Sequence, residues 1–199
     1  MYQRTKIATA PASIPVTLTE AKAHLRVDFT TDDTLITTLI NVATEYAEKR
    51  LGRALITQTW DLYMDEWPEG DTIEIPFSPL QSITHIKYYD TSNVEQTWAS
   101  SNYVVDTISE PARVIQSATG NGYQSLYNRP NAINVRFVCG YGAASTNIPE
   151  TIRAGIKLLI SHFYENREGL VIGQGTVAEL QIPKAVESLF NMMTINRTF

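Results

Sequence analysis

The sequence predicts an α+β protein: a small helical bundle built from N- and C-terminal helices, with an antiparallel β-sandwich or barrel-like insert between them. Three observations predict it. Apolar residues recur at helical spacing near both ends, in Leu18 to Gly52 and in Ile148 to Glu168. The stretch between them alternates polar with Tyr, Trp, Ile and Val in short runs punctuated by Gly and Pro. Neither helical block can bury its apolar stripe alone, so the two are expected to pack on each other. The chain thus divides into an extended arm over 1–16, a discontinuous bundle over 17–56 and 148–193, a β-rich insert over 57–147 and a tail over 194–199.

The arm carries Pro11 and Pro15 among Ala, Ser and Thr, a composition that stays mobile unless it docks. Thr17-Leu18-Thr19-Glu20 is a capping box, which starts a short helix ending near Val27. After a polar turn, Asp32 or Asp33 is expected to cap a second helix and to complement its positive end. In that helix Leu35, Ile36, Leu39, Ile40, Val42, Ala43, Tyr46, Ala47 and Leu51 form the apolar stripe, and Gly52 stops it. From Thr57 the period changes to two. Strands are expected at Thr59–Asp65, Thr72–Ile75, Ile83–Tyr89, Val94–Trp98, Tyr103–Val105, Arg113–Ile115 and Ile133–Val138, with a hairpin turn at Asp90–Asn93 and a long loop over 117–131. Pro149 followed by Glu150 opens the next helix, with Ile152, Ile156, Leu159, Ile160 and Phe163 on one face. Gly155 costs that helix about 1 kcal/mol relative to alanine, which marks a close helix contact. Leu170 to Ile182 reads as a mobile loop, and Pro183 starts a last helix through about Met193.

Composition excludes several classes. With 43% hydrophobic and 19% charged residues the chain is globular rather than disordered. A net charge of −5 argues against a protein that grips nucleic acid, which needs a basic face, but not against a wall that DNA passes. No apolar run is long enough to span a bilayer, and the N-terminal segment has no signal-peptide core, so cytoplasmic synthesis is expected. Cys139 is the single cysteine, which rules out an intrachain disulfide; its apolar run VRFVCGYG favours a buried inert thiol over a nucleophile.

Catalytic chemistry finds little support. His24, His85 and His162 lie on separate elements. His162 and Glu165 have i, i+3 spacing, but no second pair exists to complete a metal site, so a surface or interface role is favoured. Asp32-Asp33 is explained by capping; Asp65-Glu66 ends a strand beside Trp67. Gly173-x-Gly175 lacks both the downstream glycine and the preceding strand of a dinucleotide motif, and there is no nucleophile elbow. Trp60, Trp67, Trp98, Tyr88 and Tyr89 could line a sugar or peptide site, although aromatic residues also fill small β cores. The expectation is no enzyme, no cofactor and no metal.

The run LTEAKAHLRVD, the Asp-capped helix, and EKRLGRALITQTWDLYMDEWP resemble the head–tail connector (adaptor) proteins of tailed double-stranded DNA phages and prophages. IEIPFSPLQSITHIKYYD is similar in the middle, as are VRFVCGYG and IPETIRAGIKLLISHFYENRE at the end, so the resemblance spans about Leu18 to Phe190. It implies a structural protein of the virion head–tail junction, made in the host cytoplasm. In that family such proteins form a ring, dodecameric by analogy, under the portal protein. The ring extends the DNA channel without sequence-specific binding and meets a downstream neck or tail-completion protein.

On that reading the helices over 33–51 and 149–167 supply scaffold and subunit contacts. Phe190, Met192, Met193, Ile195 and Phe199 are more apolar than a short helix needs and are the candidate portal-docking residues, unless they only cover the bundle. Gly173 and Gly175 mark a flexible loop that orders on assembly, with the arm and the tail. The rival readings are a packaging accessory protein that forms no ring and a ligand-binding module that uses the aromatic insert.

Overall fold

A computed structural model describes residues 3–166, 170–173, 176–179 and 182–194. Two compact units emerge, one from the described residues of 3–12 and 53–143, the other from those of 13–52 and 144–194.

In the helical unit the capping box forms as expected. The Glu20 amide donates to the Thr17 hydroxyl at 3.2 Å, and the Thr17 amide donates to the Glu20 carboxylate at 2.8 Å. This starts α1 (Leu18–Leu25), which Arg26 closes in the left-handed conformation. Next comes α2 (Asp33–Leu51), ended by Gly52 at φ +67°. Asp32 occupies the N-cap position but makes no side-chain capping bond. Its carboxylate instead accepts from the Tyr164 hydroxyl at 2.6 Å, while Asp33 takes the Lys22 ammonium at 2.6 Å. The expected cap is therefore replaced by two tertiary contacts, and only the dipole complement of Asp33 remains. Pro149 is the N-cap of α3 (Glu150–Glu165), its carbonyl accepting from the amides of Ile152 and Arg153. The last helix is α4 (Lys184–Asn191).

The core of this unit is Ile36, Ile40, Ala43, Ala47 and Leu51 from α2, Ile152, Ile156, Leu159 and Ile160 from α3, and Val186 and Phe190 from α4. Val42, on the expected stripe, is 44% exposed because it falls at the stripe's edge. Gly155 does mark a close contact: a methyl group there would run into three carbons of the Phe190 ring.

The other unit is a sandwich of two antiparallel sheets. β1 (Gln3–Thr9), β2 (Gln58–Met64), β8 (Ile133–Cys139), β4 (Leu80–Tyr89) and β5 (Glu95–Thr97) form the larger sheet in the order β1-β2-β8-β4-β5. The smaller one is β3 (Thr72–Ile75), β7 (Ala112–Gln116) and β6 (Tyr103–Asp106), in the order β3-β7-β6. Both sheets keep open edges, so the insert is a sandwich and not a closed barrel. One apolar core lies between them, with Leu62, Met64, Ile73, Ile75, Ile86, Val114, Ile133, Val135 and Phe137 all buried. The period-two pattern is cleanest in β8, where Ile133, Val135, Phe137 and Cys139 alternate inward. In β4 two register shifts against β8 break the alternation, so only Leu80 and Ile86 are fully buried.

Two segments differ in form from the sequence-based expectation. Residues 3–9 of the extended arm pair with β2 from Gln3 opposite Met64 to Thr9 opposite Thr59. The side chains of residues 4–10 are exposed, so no burial pattern could flag the strand. In the segment read as a loop, β9 (Leu170–Gly173) pairs antiparallel with β10 (Thr176–Glu179), two runs too short to show a period. Gly173 ends β9; Gly175 lies outside the described residues.

The sandwich begins and ends at one place. The outgoing segment 53–57 and the returning segment 140–143 run side by side: the Tyr141 amide donates to the Leu55 carbonyl at 3.2 Å and the Thr57 amide to the Gly142 carbonyl at 2.9 Å. Gly140 has φ +121°, and a Cβ there would lie 2.5 Å from the Ile56 carbonyl oxygen. Gln81 straps both segments, donating to Thr57 Oγ1 and to the Gly140 carbonyl at 2.8 Å each.

Gly140→Ala is expected to destabilise the protein by about 2 kcal/mol or more, since backbone strain and a backbone clash add at one residue. Urea titration checks this, and a loss below about 0.5 kcal/mol would show that the crossing can open without cost.

Candidate functional site

The candidate functional surfaces are the outer faces of the two sheets and the exposed end of the helical unit. On the larger sheet, residues opposite in register to the core point outward. Asp61 accepts two hydrogen bonds from the Arg136 guanidinium at 2.8 Å each, although the Asp61 side chain is only 5% exposed. The Arg136 hydrogen bonds hold the Asp61 carboxyl below its ordinary value, outweighing the opposing effect of burial. Beside it His85 meets Asn134 at 3.1 Å, and Lys87 reaches Glu95 at 2.6 Å. Arg4 from β1 binds Asp65 at 2.9 Å and Asn131 at 3.0 Å. At the far end the Arg129 guanidinium stacks over the Tyr89 ring, 3.9 Å from its centroid. Asp61, Asp65 and Glu95 are thus each held by a cation of the face itself, Asp90 at its end is held by Gln96 and two backbone amides, and Lys6 and Arg129 add positive charge beyond the ion pairs.

The smaller sheet presents the opposite balance. Across it, Glu74, Arg113 and Asp106 stand in one cross-strand row, with Glu69 and Asp71 leading into β3. Asp106 fixes the turn after β6. Its Oδ1 accepts from the amides of Ile108 and Ser109 at 3.0 Å, and its Oδ2 from the Ser109 hydroxyl at 2.6 Å and from Arg113 at 2.7 Å. These bonds, led by that from Ser109, hold the Asp106 carboxyl far below the usual carboxylate range. The turn presents Ile108 with 92% of its surface exposed.

A buried cation organises the helical unit. Arg153 donates through Nε to the Pro15 carbonyl at 3.1 Å and through its two terminal nitrogens to Glu150 and Glu20. Burial works against its charge, but these hydrogen bonds hold the guanidinium above its usual pKa. A charged residue beside an apolar stripe carries no signal of this role in the sequence.

The aromatic candidates are spent in packing. Trp98 is 2% exposed. Trp67 stacks on Tyr123 at 4.5 Å between ring centroids, and Trp60 lies 4.5 Å from Phe77. The indole N–H groups of Trp67 and Trp98 donate to the carbonyls of Gln124 and Asn121, which fasten the 117–131 loop over the core. Cys139 is buried. His24 is exposed on α1, and His162 is half-buried on α3 with Glu165 exposed. Among the described residues, no group of three or more His, Cys, Asp or Glu side chains is placed to hold a metal ion.

Of the candidate docking residues, Phe190 lies in the helical core, 6.4 Å from the Tyr46 ring. Met192 is 73% exposed just past α4, and Met193 is half-buried. Ile195 and Phe199 lie outside the described residues. Arg50 ties this end of α4 to α2 through Asn191 at 2.5 Å and Thr194 at 3.4 Å.

Residues 15–118, just over half of the chain, match the family described as phage gp6-like head-tail connector proteins. The chain belongs to that family. It is a structural connector, in agreement with the resemblance carried by its helical blocks. The connector is also similar to a chain in the neck of an empty gene transfer agent particle computed with C6 symmetry, with a TM-score of 0.80 at 20% identity, covering 98% of this chain and 97% of that one. A chain of the native gene transfer agent virion matches with a TM-score of 0.77 at 20% identity, covering 98% and 97%. One in the native neck computed with C12 symmetry matches at 0.75 and 21%, again covering 98% and 97%. At these identities the likeness establishes a shared fold over nearly the full length. No curated protein matches the connector.

Two outcomes follow from the geometry. Because the Asp61 carboxyl is depressed in the folded protein, its contribution to stability is complete above the unfolded value of about 4 and is lost as pH falls through the lower folded value. Thermal unfolding followed from pH 6 to pH 2 should show this decline in the wild type and a shallower one in Asp61→Asn. In the bundle, Gly155→Ala sets a helix-propensity gain of about 1 kcal/mol against an overpacking cost of about 1–3 kcal/mol, so net destabilisation is expected. In a Phe190→Leu background the clash disappears, and the same substitution should become stabilising. An unchanged sign would mean that the ring does not rest on Gly155.

Proposed function

We propose that this connector assembles as a homo-oligomeric ring at the head–tail junction of a virion, beneath the portal protein. There it extends the DNA channel and joins the capsid to the next neck or tail component. The observation that carries this reading is the family match over residues 15–118. It is supported by the fold shared over 98% of the chain with necks computed in C6 and C12 symmetry. A ring of twelve copies fits both symmetries. The role is structural and non-enzymatic: the polar groups described above are engaged in holding loops, strands and helices together. The acidic balance of the chain, −5 overall, suits a channel component that DNA passes without sticking.

The apolar end of α4 is the part we assign to the portal, with Met192 and the tail residues Ile195 and Phe199 as the contact and Phe190 as the core residue that anchors the helix. No helix among the described residues is long and apolar enough to cross a membrane.

Particle mass by light scattering, for the protein alone and mixed with portal-bearing heads, tests the proposal. A ring in either sample is the expected result, with portal association reduced at least about tenfold in Met192→Asp, equivalent to about 1.4 kcal/mol. A monomer that ignores the portal overturns the ring. Undiminished association of Met192→Asp overturns the assignment of α4 while leaving the ring intact.

A further inference from the structure

The sandwich carries different charge balance on its two outer faces, and the two faces belong to one compact unit. On the larger sheet, the carboxylates of Asp61, Asp65 and Glu95 are neutralised by Arg136, Arg4 and Lys87, which leaves Lys6 and Arg129 as cations outside any ion pair against the one carboxylate of Asp90, itself bonded to Gln96 and two backbone amides. On the smaller sheet the surplus is negative: Arg113 binds Asp106, and among the described residues Glu69, Asp71 and Glu74 form no ion pair. An apolar element accompanies each face. Ile108 projects from the smaller sheet on a turn whose conformation Asp106 fixes through three hydrogen bonds from Ile108 and Ser109. Val94 and Tyr127 are exposed at the end of the larger sheet, where Tyr127 donates its amide to the Tyr89 carbonyl beside Arg129.

We propose that these faces are the two halves of a head-to-tail contact between copies of this chain, the acidic face and Ile108 of one copy seating on the basic face of the next. The inference rests on the ring reading and deepens it by naming the surfaces. Charge complementarity selects a second copy as the occupant. Two surplus cations on a face that already holds four carboxylates make a poor track for a phosphate backbone, which binds through many unpaired cations. They do match the few unpaired carboxylates of the opposite face. A contact between two different faces of the same unit is also the heterologous type that closes a ring. Ile108 is the expected anchor, because it is a highly exposed apolar side chain on a turn whose backbone is already fixed, so that little backbone freedom is lost on burial. Charge surrounding it sets partner and register more than affinity.

Charge reversal on each face provides the test, read by light scattering under conditions in which the wild-type protein forms a ring, on portal-bearing heads if these are required. Asp71→Lys with Glu74→Lys makes both faces basic; Lys6→Glu with Arg129→Glu makes both acidic. Each variant alone is expected to stay monomeric, and an equimolar mixture to regain rings in which the two alternate, since each then meets only its complement. The mixture also controls for folding, because a misfolded variant cannot be rescued by its partner. Ile108→Asp should weaken assembly of the otherwise unchanged protein at least about tenfold, and wild-type assembly should weaken as salt rises. Rings from either reversed variant alone, or folded variants that remain monomeric when mixed, overturn the assignment of the faces and leave the ring reading standing. Loss of DNA retention without loss of ring formation in the Lys6 and Arg129 variant would give the basic face to DNA and also overturn it. A wild type that forms no ring under any condition removes the ring reading, and this inference with it.

Discussion

The architecture depends on the point where the chain leaves for the sandwich and comes back. The sandwich unit takes β1 from ahead of the first two helices and the continuous segment 53–143 from after them, and the two crossings, at the ends of that longer segment, lie side by side. Backbone hydrogen bonds join the crossings directly, and the close approach requires a residue without a Cβ at Gly140. Around this seam Arg53, nearly buried, grips Glu110 with both terminal nitrogens at 2.5 Å and lies over the Tyr141 ring. The bidentate pair fixes the loop before β7 to the root of the sandwich, so the smaller sheet is anchored where the larger one begins.

The same device recurs in each unit. Arg53, Asp61 and Arg153 are the buried charged side chains among the described residues, and each joins segments far apart in sequence. Arg53 spans 57 positions to Glu110, Asp61 spans 75 to Arg136, and Arg153 spans 133 to Glu20. Such pairs contribute little net stability, because desolvation offsets much of the Coulomb gain. Their effect is on uniqueness: a slipped register or a misplaced helix leaves a charge buried without its partner, at a cost of several kcal/mol. Apolar packing tolerates near-misses; these pairs do not. Arg153 shows the principle best, since its Nε donates to the Pro15 carbonyl in the segment ahead of α1 and so adds a directional bond to the burial of Pro15 and Val16.

Legibility in the sequence followed the range of the interaction that determines each element. The capping box at Thr17, the stop at Gly52 and the alternation of Ile133 to Cys139 are local, and each is present where the pattern put it. The family signal lay in similarly local blocks. What escaped depends on residues remote in sequence. Asp32 looked like a cap but accepts from the Tyr164 hydroxyl, 132 positions away, and local chemistry cannot foresee that a remote donor competes for the carboxylate. β1 buries no apolar side chain along residues 4–9, being held by its backbone pairing and by Arg4, so alternation carried no information. β4 lost its period to two bulges. Of the candidate docking residues, Phe190 looked surplus to a short helix only because its complement, the bare surface at Gly155, sits on another helix. The opposed charges of the two sheet faces were invisible for the same reason: they become faces only when strand order is known.

A ring places a particular demand on such a subunit. Closure adds a contact without adding a copy, so contacts too weak to hold a dimer can hold a complete ring. Contacts strong enough to hold a dimer would instead allow assembly wherever two copies met. Surfaces whose charges are mostly neutralised within their own face, with a small surplus left for a partner, sit in the weak regime, since exposed pairs contribute about 0–1 kcal/mol each. A template that gathers copies raises their effective concentration and shifts the balance toward closure without any new contact. On this argument the in-face ion pairs of the larger sheet have a second consequence beyond strand pairing: by satisfying the carboxylates of Asp61, Asp65 and Glu95 internally, they keep the face from binding its complement too tightly before the ring can close.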